Sequence, residues 1–215
     1  MFFKSSPATV RVKICGITTP VDAAMAVRAG ADAIGVILYA RSKRFVALHS
    51  AASWLGELGG EVARVALLVN PGYDEARRVL DSAVVDAIQL HGDETPEFCV
   101  ALMKHGKPVL KALRVRTPEV LASAAAYRAV AAVLLDAYRE EAYGGTGHVF
   151  DWHWLNGFDQ PFILSGGLTP ANVRSAVQSW KPFAVDVSSG VEAAPGKKDA
   201  ALVRAFVAEA KAGRQ

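Results

Sequence analysis

Two side chains that can move protons each follow an apolar run of the sequence. Cys15 closes the run Val10–Cys15, and Asp136 comes directly after Val130–Leu135. A thiolate can accept a proton and a carboxylic acid can donate one, so the two residues supply a base and an acid. Each also has an ordinary interpretation, because a buried cysteine is often a small hydrophobe and a carboxylate after a strand often caps a helix or forms an ion pair. Together, at the ends of two predicted strands, they predict general acid–base catalysis.

Glycine-rich segments follow the last three predicted strands. They read Gly144-Gly145-Thr146-Gly147, Ser165-Gly166-Gly167 and Ser188-Ser189-Gly190. Glycine lets the backbone approach an anion closely and direct several N–H groups at it, although it also marks ordinary tight turns. In eight-stranded α/β barrels the loops after strands seven and eight often hold a phosphate beside a short extra helix, which 189–193 could form. We therefore predict a phosphate site at Gly144, Gly145, Gly166, Gly167, Ser189 and Gly190.

Three further side chains are candidates for contacting the ligand. Arg44 lies after the second predicted strand, where its guanidinium could bind a carboxylate or belong to a solvated basic loop. His91 ends the fourth strand, where a structural histidine is the more common case. Asp186 lies within the apolar eighth strand and needs a partner there, supplied by the protein or by the ligand.

Apolar runs and helical patterns alternate along the whole chain. The runs are continuously apolar, which is typical of parallel strands covered on both faces. The predicted strands are Val10–Cys15, Ala33–Leu38, Val65–Val69, Ala87–Leu90, Val109–Leu113, Val130–Leu135, Phe162–Leu164 and Ala184–Val187. The predicted helices include Asp22–Ala29, Asp74–Ser82, Glu97–Lys104, Glu119–Arg128, Ala171–Trp180 and Asp199–Ala212.

Four Thr-Pro pairs, which begin at Thr19, Thr95, Thr117 and Thr169, mark predicted helix starts. Threonine is a good N-cap, and proline suits the first helical position because its missing N–H would be unpaired there anyway. Right-handed β-α repeats build either a closed barrel or an open doubly wound sheet. Eight regular units favour a (β/α)8 TIM barrel, which places Cys15 and Asp136 at its catalytic mouth.

Composition limits the remaining possibilities. The 215 residues are 52% apolar, which fits one sizeable core and argues against global disorder. We expect a single barrel domain over residues 10–215, preceded by a flexible arm over residues 1–9 without a targeting signal. The net charge of +3 is scattered, which argues against nucleic acid as a partner, and no apolar run is long enough to span a membrane.

The chain contains two cysteines and five histidines. Their spacing predicts neither a structural metal site nor, in a chain that reads as cytoplasmic, a disulfide. Cys99 lies in a helical pattern and is interpreted as a buried hydrophobe.

Ordered sequence blocks resemble the phosphoribosylanthranilate isomerase family over residues 10–200. The blocks include Val12-Lys13-Ile14-Cys15-Gly16, Ser42-Lys43-Arg44, Gln89-Leu90-His91-Gly92, Leu134-Leu135-Asp136, Leu164-Ser165-Gly166-Gly167 and Asp186-Val187-Ser188-Ser189-Gly190. The resemblance implies an Amadori rearrangement with Asp136 as general acid and Cys15 as general base. It also implies that Arg44 holds the anthranilate carboxylate, that a sugar phosphate is the ligand and that no cofactor or metal is needed. The oligomeric state, monomer or homodimer, stays open.

Two other classes of function are weighed against this interpretation. A related sugar-phosphate enzyme on the same barrel would carry an aspartate at the position of Cys15, as in the histidine-pathway isomerase, or metal-binding histidines, as in an epimerase. A non-catalytic phosphate-binding module would lack the acid or the base. Both Cys15 and Asp136 are present in the sequence.

Overall fold

Eight parallel strands form a closed barrel in the computed structural model, which describes residues 9–137 and 151–213. The strands pair in sequence order, and β1 also pairs with β8 to close the ring. They are β1 Arg11–Cys15, β2 Ala33–Ile37, β3 Ala63–Leu68, β4 Ala87–Leu90, β5 Val109–Val115, β6 Ala132–Ala137, β7 Phe162–Leu164 and β8 Ala184–Val187. The predicted (β/α)8 barrel is confirmed. The predicted N-terminal arm lies almost wholly outside the described residues.

Helices follow the strands on the outside of the barrel. They are α1 Pro20–Arg28, α2 Leu48–Glu57, α3 Tyr73–Asp81, α4 Pro96–Met103, α5 Pro118–Ser123, α6 Val173–Trp180 and α7 Ala200–Ala212. Short 3₁₀ helices span Ala124–Tyr127, Trp152–Leu155 and Ser189–Val191, and an antiparallel pair, β9 Glu192–Ala194 and β10 Lys197–Lys198, follows the last of them. None of the helices within the described ranges is long and apolar enough to cross a bilayer.

The threonine caps behave as predicted at two helices. The Thr19 hydroxyl accepts a hydrogen bond from the backbone N–H of Asp22 at 3.2 Å, and Thr95 accepts one from Phe98 at 3.3 Å. A side-chain cap of this kind stabilises a helix by about 1 kcal/mol. Thr117 is also an N-cap residue, but its side chain makes no cap hydrogen bond.

Two helix predictions are wrong in detail. The fourth Thr-Pro pair does not start a helix, because residues 170–172 form a turn and α6 begins only at Val173. The predicted helix Glu119–Arg128 ends as an α-helix at Ser123 and continues as a 3₁₀ turn. The helix α2 was not among the predicted helices.

Alternate strand residues face opposite layers of the core. On β1, Val12 and Ile14 pack toward the helices, whereas Cys15 packs inside the barrel against Ile37 and Leu67. Deeper in the barrel a layer of mostly small side chains fills the centre: Ala33, Val65, Ala87, Leu110, Ala112, Ala132, Leu134, Ile163 and Ala184. This filling closes the interior, so ionisable side chains gather where the strands end.

Candidate active site

A cavity opens at the carboxyl ends of the barrel strands. It encloses about 660 Å³, including its open mouth. Five predicted side chains line it: Cys15, Arg44, His91, Asp136 and Asp186. Four predicted loop residues also line it: Gly166, Gly167, Ser189 and Gly190. Gly144 and Gly145 lie outside the described residues.

Cys15 reaches the cavity from the end of β1 and is only 4% exposed. Gly35 on β2 stands opposite it in the strand register, and a Cβ atom at Gly35 would lie 2.8 Å from the Cys15 sulfur. The missing side chain on β2 therefore leaves space for the thiol. Burial raises the pKa of Cys15, and the positive charges of Lys13 and Lys198 act in the opposite direction.

Asp136 reaches the same cavity from β6, and His91 reaches it from the end of β4. His91 Nε2 lies 3.1 Å from Asp136 Oδ2, and His91 Nδ1 lies 3.1 Å from Gln89 Nε2. The imidazole is thus held between the Gln89 amide on one side and the Asp136 carboxyl group on the other. His91 therefore orients the carboxyl group. No hydrogen bond to another described residue involves Asp136 Oδ1, so this oxygen is the one left for a ligand.

Arg44 is held in place by Glu192 on β9. Its Nε and Nη2 atoms donate to the two Glu192 oxygens at 2.8 and 2.6 Å. The ammonium of Lys198 contacts the same carboxylate at 2.8 Å. Burial favours the neutral acid, but the hydrogen bonds from Arg44 and the charge of Lys198 hold the pKa of Glu192 below its ordinary value. Arg44 is thus an ordered cation beside the cavity, and the solvated-loop alternative is wrong.

Asp186 has a protein partner. Its Oδ1 accepts a hydrogen bond from the Lys13 ammonium at 2.9 Å, and both residues are buried inside the barrel. The partner required for Asp186 is therefore Lys13, while Asp186 still lines the cavity wall.

The loops after β7 and β8 form another part of the cavity wall. Gly166 and Gly167 have φ angles of 82° and 68°, a region that favours glycine. Among the described residues, neither backbone N–H has a hydrogen-bond partner. A Cβ atom at Gly190 would collide with the Leu168 carbonyl oxygen, so the two loops pack backbone against backbone. The predicted short helix is present as the 3₁₀ turn Ser189–Val191.

Several site residues received no role from the sequence. They are Lys13, Gln89, Glu192 and Lys198. A signal was available for Lys13, because a lysine at an inward position of an apolar strand must have a buried partner. Glu192 and Lys198 carried no comparable signal, since they come from a short hairpin whose position depends on the folded chain. In the part of the chain that the structure describes, no group of three or more His, Cys, Asp or Glu side chains could hold a metal ion.

A closed barrel with ionisable side chains gathered at the carboxyl ends of its strands is the architecture of a (β/α)8-barrel enzyme. The family model of N-(5′-phosphoribosyl)anthranilate isomerase matches residues 12–209. A Pseudomonas aeruginosa N-(5′-phosphoribosyl)anthranilate isomerase is 48% identical over 208 residues, which covers 96% of this chain and 97% of the relative. This chain therefore belongs to the phosphoribosylanthranilate isomerase family.

Solved structures of the family have the same fold. The phosphoribosylanthranilate isomerase of Thermotoga maritima superposes with a TM-score of 0.87 at 41% identity, covering 94% of this chain and 98% of that one. A further structure, of an isomerase in complex with reduced 1-(o-carboxyphenylamino)-1-deoxyribulose 5-phosphate, gives a TM-score of 0.84 at 40% identity, with the same coverage of 94% and 98%.

Proposed function

We propose that this chain catalyses the Amadori rearrangement of N-(5-phosphoribosyl)anthranilate to 1-(2-carboxyphenylamino)-1-deoxyribulose 5-phosphate, a step of tryptophan biosynthesis. Family membership supports the reaction. The observation that carries the mechanism is that Cys15 and Asp136, 121 positions apart by numbering (136 − 15), line one cavity. They come from β1 and β6, which are not neighbours in the barrel, so a ribose between them would meet the two groups from different sides.

The first chemical step in this proposal opens the ribose ring. Asp136 in its acid form donates a proton to the ring oxygen, the bond from C1 to that oxygen breaks, and the anilino nitrogen forms a protonated Schiff base with C1. The His91 contact fixes Oδ2 of Asp136, so the carboxyl group cannot rotate freely while the other oxygen faces the ligand. This pre-orientation is the geometric condition for general acid catalysis.

The second step removes the proton from C2 of the sugar. The Cys15 thiolate accepts it, the electron pair of the C2–H bond forms a C1–C2 double bond, and the iminium nitrogen becomes a neutral amine. The resulting enolamine becomes the ketone when its hydroxyl loses a proton and C1 gains one. This step requires that the Cys15 sulfur can contact the proton on C2, and the position of Cys15 in the cavity wall is compatible with that contact.

The binding roles follow from charge and backbone geometry. We propose that Arg44 binds the anthranilate carboxylate, because Glu192 occupies only Nε and Nη2 along one edge of the guanidinium. The other edge, formed by Nη1 and the second N–H of Nη2, can bind a carboxylate with two hydrogen bonds. His91 and Asp186 are assigned to contacts with the ribose.

The phosphate is assigned to the N–H groups of the glycine-rich loops. The backbone of Gly166 and Gly167 supplies donors without protein partners among the described residues, and Ser189 and Gly190 lie beside them. Gly144 and Gly145 complete the proposed set.

The wider setting is proposed on the same basis. A Thermotoga maritima relative at 40% identity is described as dimeric, which makes a homodimer the first oligomeric state to test. A cytoplasmic location and a single domain over residues 10–215 remain predictions.

The experiment is the loss of anthranilate-ribose fluorescence when the pure protein is added to the substrate. Cys15→Ser and Asp136→Asn should each lower kcat by about 10²–10⁴-fold, the usual contribution of one general acid or base. Cys99→Ala is the matched control, since Cys99 lies on α4 and does not line the cavity. Near wild-type kcat in either site variant would overturn the assignment of that residue. No turnover by the wild-type protein would overturn the function.

A further inference from the structure

Lys13 is a buried cation inside the barrel and is given no role in the steps above. Its side chain is completely buried, and its ammonium forms an ion pair with Asp186 at 2.9 Å. The two residues stand opposite each other in the register between β1 and β8. A buried ion pair contributes little net stability, because its desolvation cost offsets much of its Coulomb energy, so this pair is a candidate for a role in the chemistry of the adjacent cavity.

The backbone of β2 leaves room for this lysine beside the thiol. Lys13 and Cys15 are two positions apart on β1, so both side chains face the barrel interior. A Cβ atom at Gly35 would lie 2.8 Å from the Cys15 sulfur and 3.2 Å from Lys13 Cε. One glycine therefore borders both side chains, and the lysine head and the sulfur share the space that it leaves.

Four charged groups act on the Cys15 sulfur. Lys13 comes from β1 itself, Asp186 from β8, Lys198 from β10 and Arg44 from the loop after β2. Burial raises the pKa of Cys15 above its ordinary value, and Asp186 acts in the same direction. Lys13 opposes this rise most strongly among the charges, and Lys198 opposes it to a smaller extent. Lys198 and Arg44 both have Glu192 as their counter-ion.

Asp186 keeps Lys13 charged. Burial alone would lower the pKa of Lys13, but the charge and hydrogen bond of Asp186, together with Cys15, raise it above its ordinary value. The ion pair with Asp186 therefore favours the charged form of the ammonium beside the sulfur.

We propose that Lys13 is a positioning residue for Cys15: its buried ammonium, anchored by Asp186, stabilises the thiolate that accepts the substrate proton. The chemical benefit rests on the function proposed above, since a thiol is a base only when ionised. The electrostatic relation between Lys13 and Cys15 is independent of that function and can be measured without substrate.

The test measures the ionisation of Cys15 through its alkylation. The full-length protein is treated with iodoacetamide over a range of pH, without substrate, and mass spectrometry of the peptides gives a separate rate for Cys15 and Cys99. Lys13→Met removes the charge and retains most of the apolar stem. We expect the pH midpoint for Cys15 to rise by about one unit or more, which is about a tenfold loss of thiolate below the midpoint. The Cys99 profile is the internal control and should not move.

A second variant covers the case in which Lys13→Met fails to fold because Asp186 is left buried and unpaired. The double variant Lys13→Met/Asp186→Asn removes both charges together. Its midpoint should still lie above that of the wild type, because Lys13 affects the thiol more strongly than Asp186 does. A midpoint at or below the wild-type value in the double variant, or an unchanged midpoint in folded Lys13→Met, would overturn the proposal. An absence of isomerase activity in the wild type would instead count against the proposed function and leave these midpoints unaffected.

Discussion

Replacement of Arg44 gives the most direct test of how the ligand is held. The guanidinium is ordered before any ligand arrives, because Glu192 binds it through two hydrogen bonds of 2.8 and 2.6 Å. Its Nη1 atom has no hydrogen bond to another described residue, although Arg44 lines the cavity. Substrate binding therefore need not order this side chain, and the hydrogen bonds to the carboxylate should contribute to affinity at little entropic cost.

The magnitude follows from the number of hydrogen bonds that would be lost. A hydrogen bond to a charged group contributes about 1.5–3 kcal/mol, and a bidentate carboxylate makes two of them. A net loss of about 3 kcal/mol in Arg44→Ala corresponds to an increase in Kd of about 10²-fold. Arg44→Lys keeps the charge but not the planar pair of donors, so we expect an increase of about tenfold. The fold should tolerate both changes, because Glu192 keeps its ion pair with Lys198 at 2.8 Å.

The assay is calorimetric titration with reduced 1-(o-carboxyphenylamino)-1-deoxyribulose 5-phosphate and with the same compound lacking its carboxyl group. Wild-type protein should bind the carboxylate form more tightly, and Arg44→Ala should lose most of that preference. The assignment fails if Arg44→Ala weakens both compounds equally, since the residue would then act on another part of the ligand or on the fold. Glu192→Gln should give a smaller loss of the preference, because Arg44 would be less firmly held.

The glycine-rich loops and the pH dependence of stability supply two more tests. Gly167→Val should raise KM strongly and affect kcat less. Gly106→Val is the control: Gly106 has a similar positive φ of 80° but open space around it, so this variant should lose about as much stability as Gly167→Val while its KM stays unchanged. The phosphate assignment would be refuted if the two variants had equal KM values. Burial raises the pKa of Asp86, but hydrogen bonds from Arg64 outweigh this and leave the pKa below its ordinary value. The contribution of ionised Asp86 to the free energy of unfolding is therefore fully present above the pKa that Asp86 has in the unfolded chain. It is lost as the pH falls through the lower pKa of Asp86 in the folded protein. Urea unfolding should show Asp86→Asn less stable than the wild type by about 1 kcal/mol at neutral pH, a small difference because the Arg64–Asp86 pair is partly exposed. The difference should disappear in acid, where Asp86 is protonated. A difference that persists at low pH would refute this reading.

The sequence by itself determined the architecture, because the relevant signals are local. Continuous apolar runs separated by helical patterns indicate parallel strands, and threonine hydroxyls cap helices through contacts only three residues away, as at Thr19 and Thr95. The order of the units then requires right-handed crossovers, and eight of them favour closure. Cys15 and Asp136 could be placed at the mouth because each lies at the carboxyl end of an apolar run, and the carboxyl ends of parallel strands lie on one side of a barrel.

Only the tertiary structure decided which charges meet. Lys13 and Asp186 are separated by 173 positions and become neighbours because β1 closes against β8. Arg44 and Glu192 are separated by 148 positions and meet where the hairpin after β8 contacts the loops after β1 and β2. Local propensity contains no information about such pairs, since their energy depends on burial and distance, which exist only after the ring has closed. The sequence thus determined which reactive groups face the cavity, and the closed barrel decided the charges and hydrogen bonds that surround them.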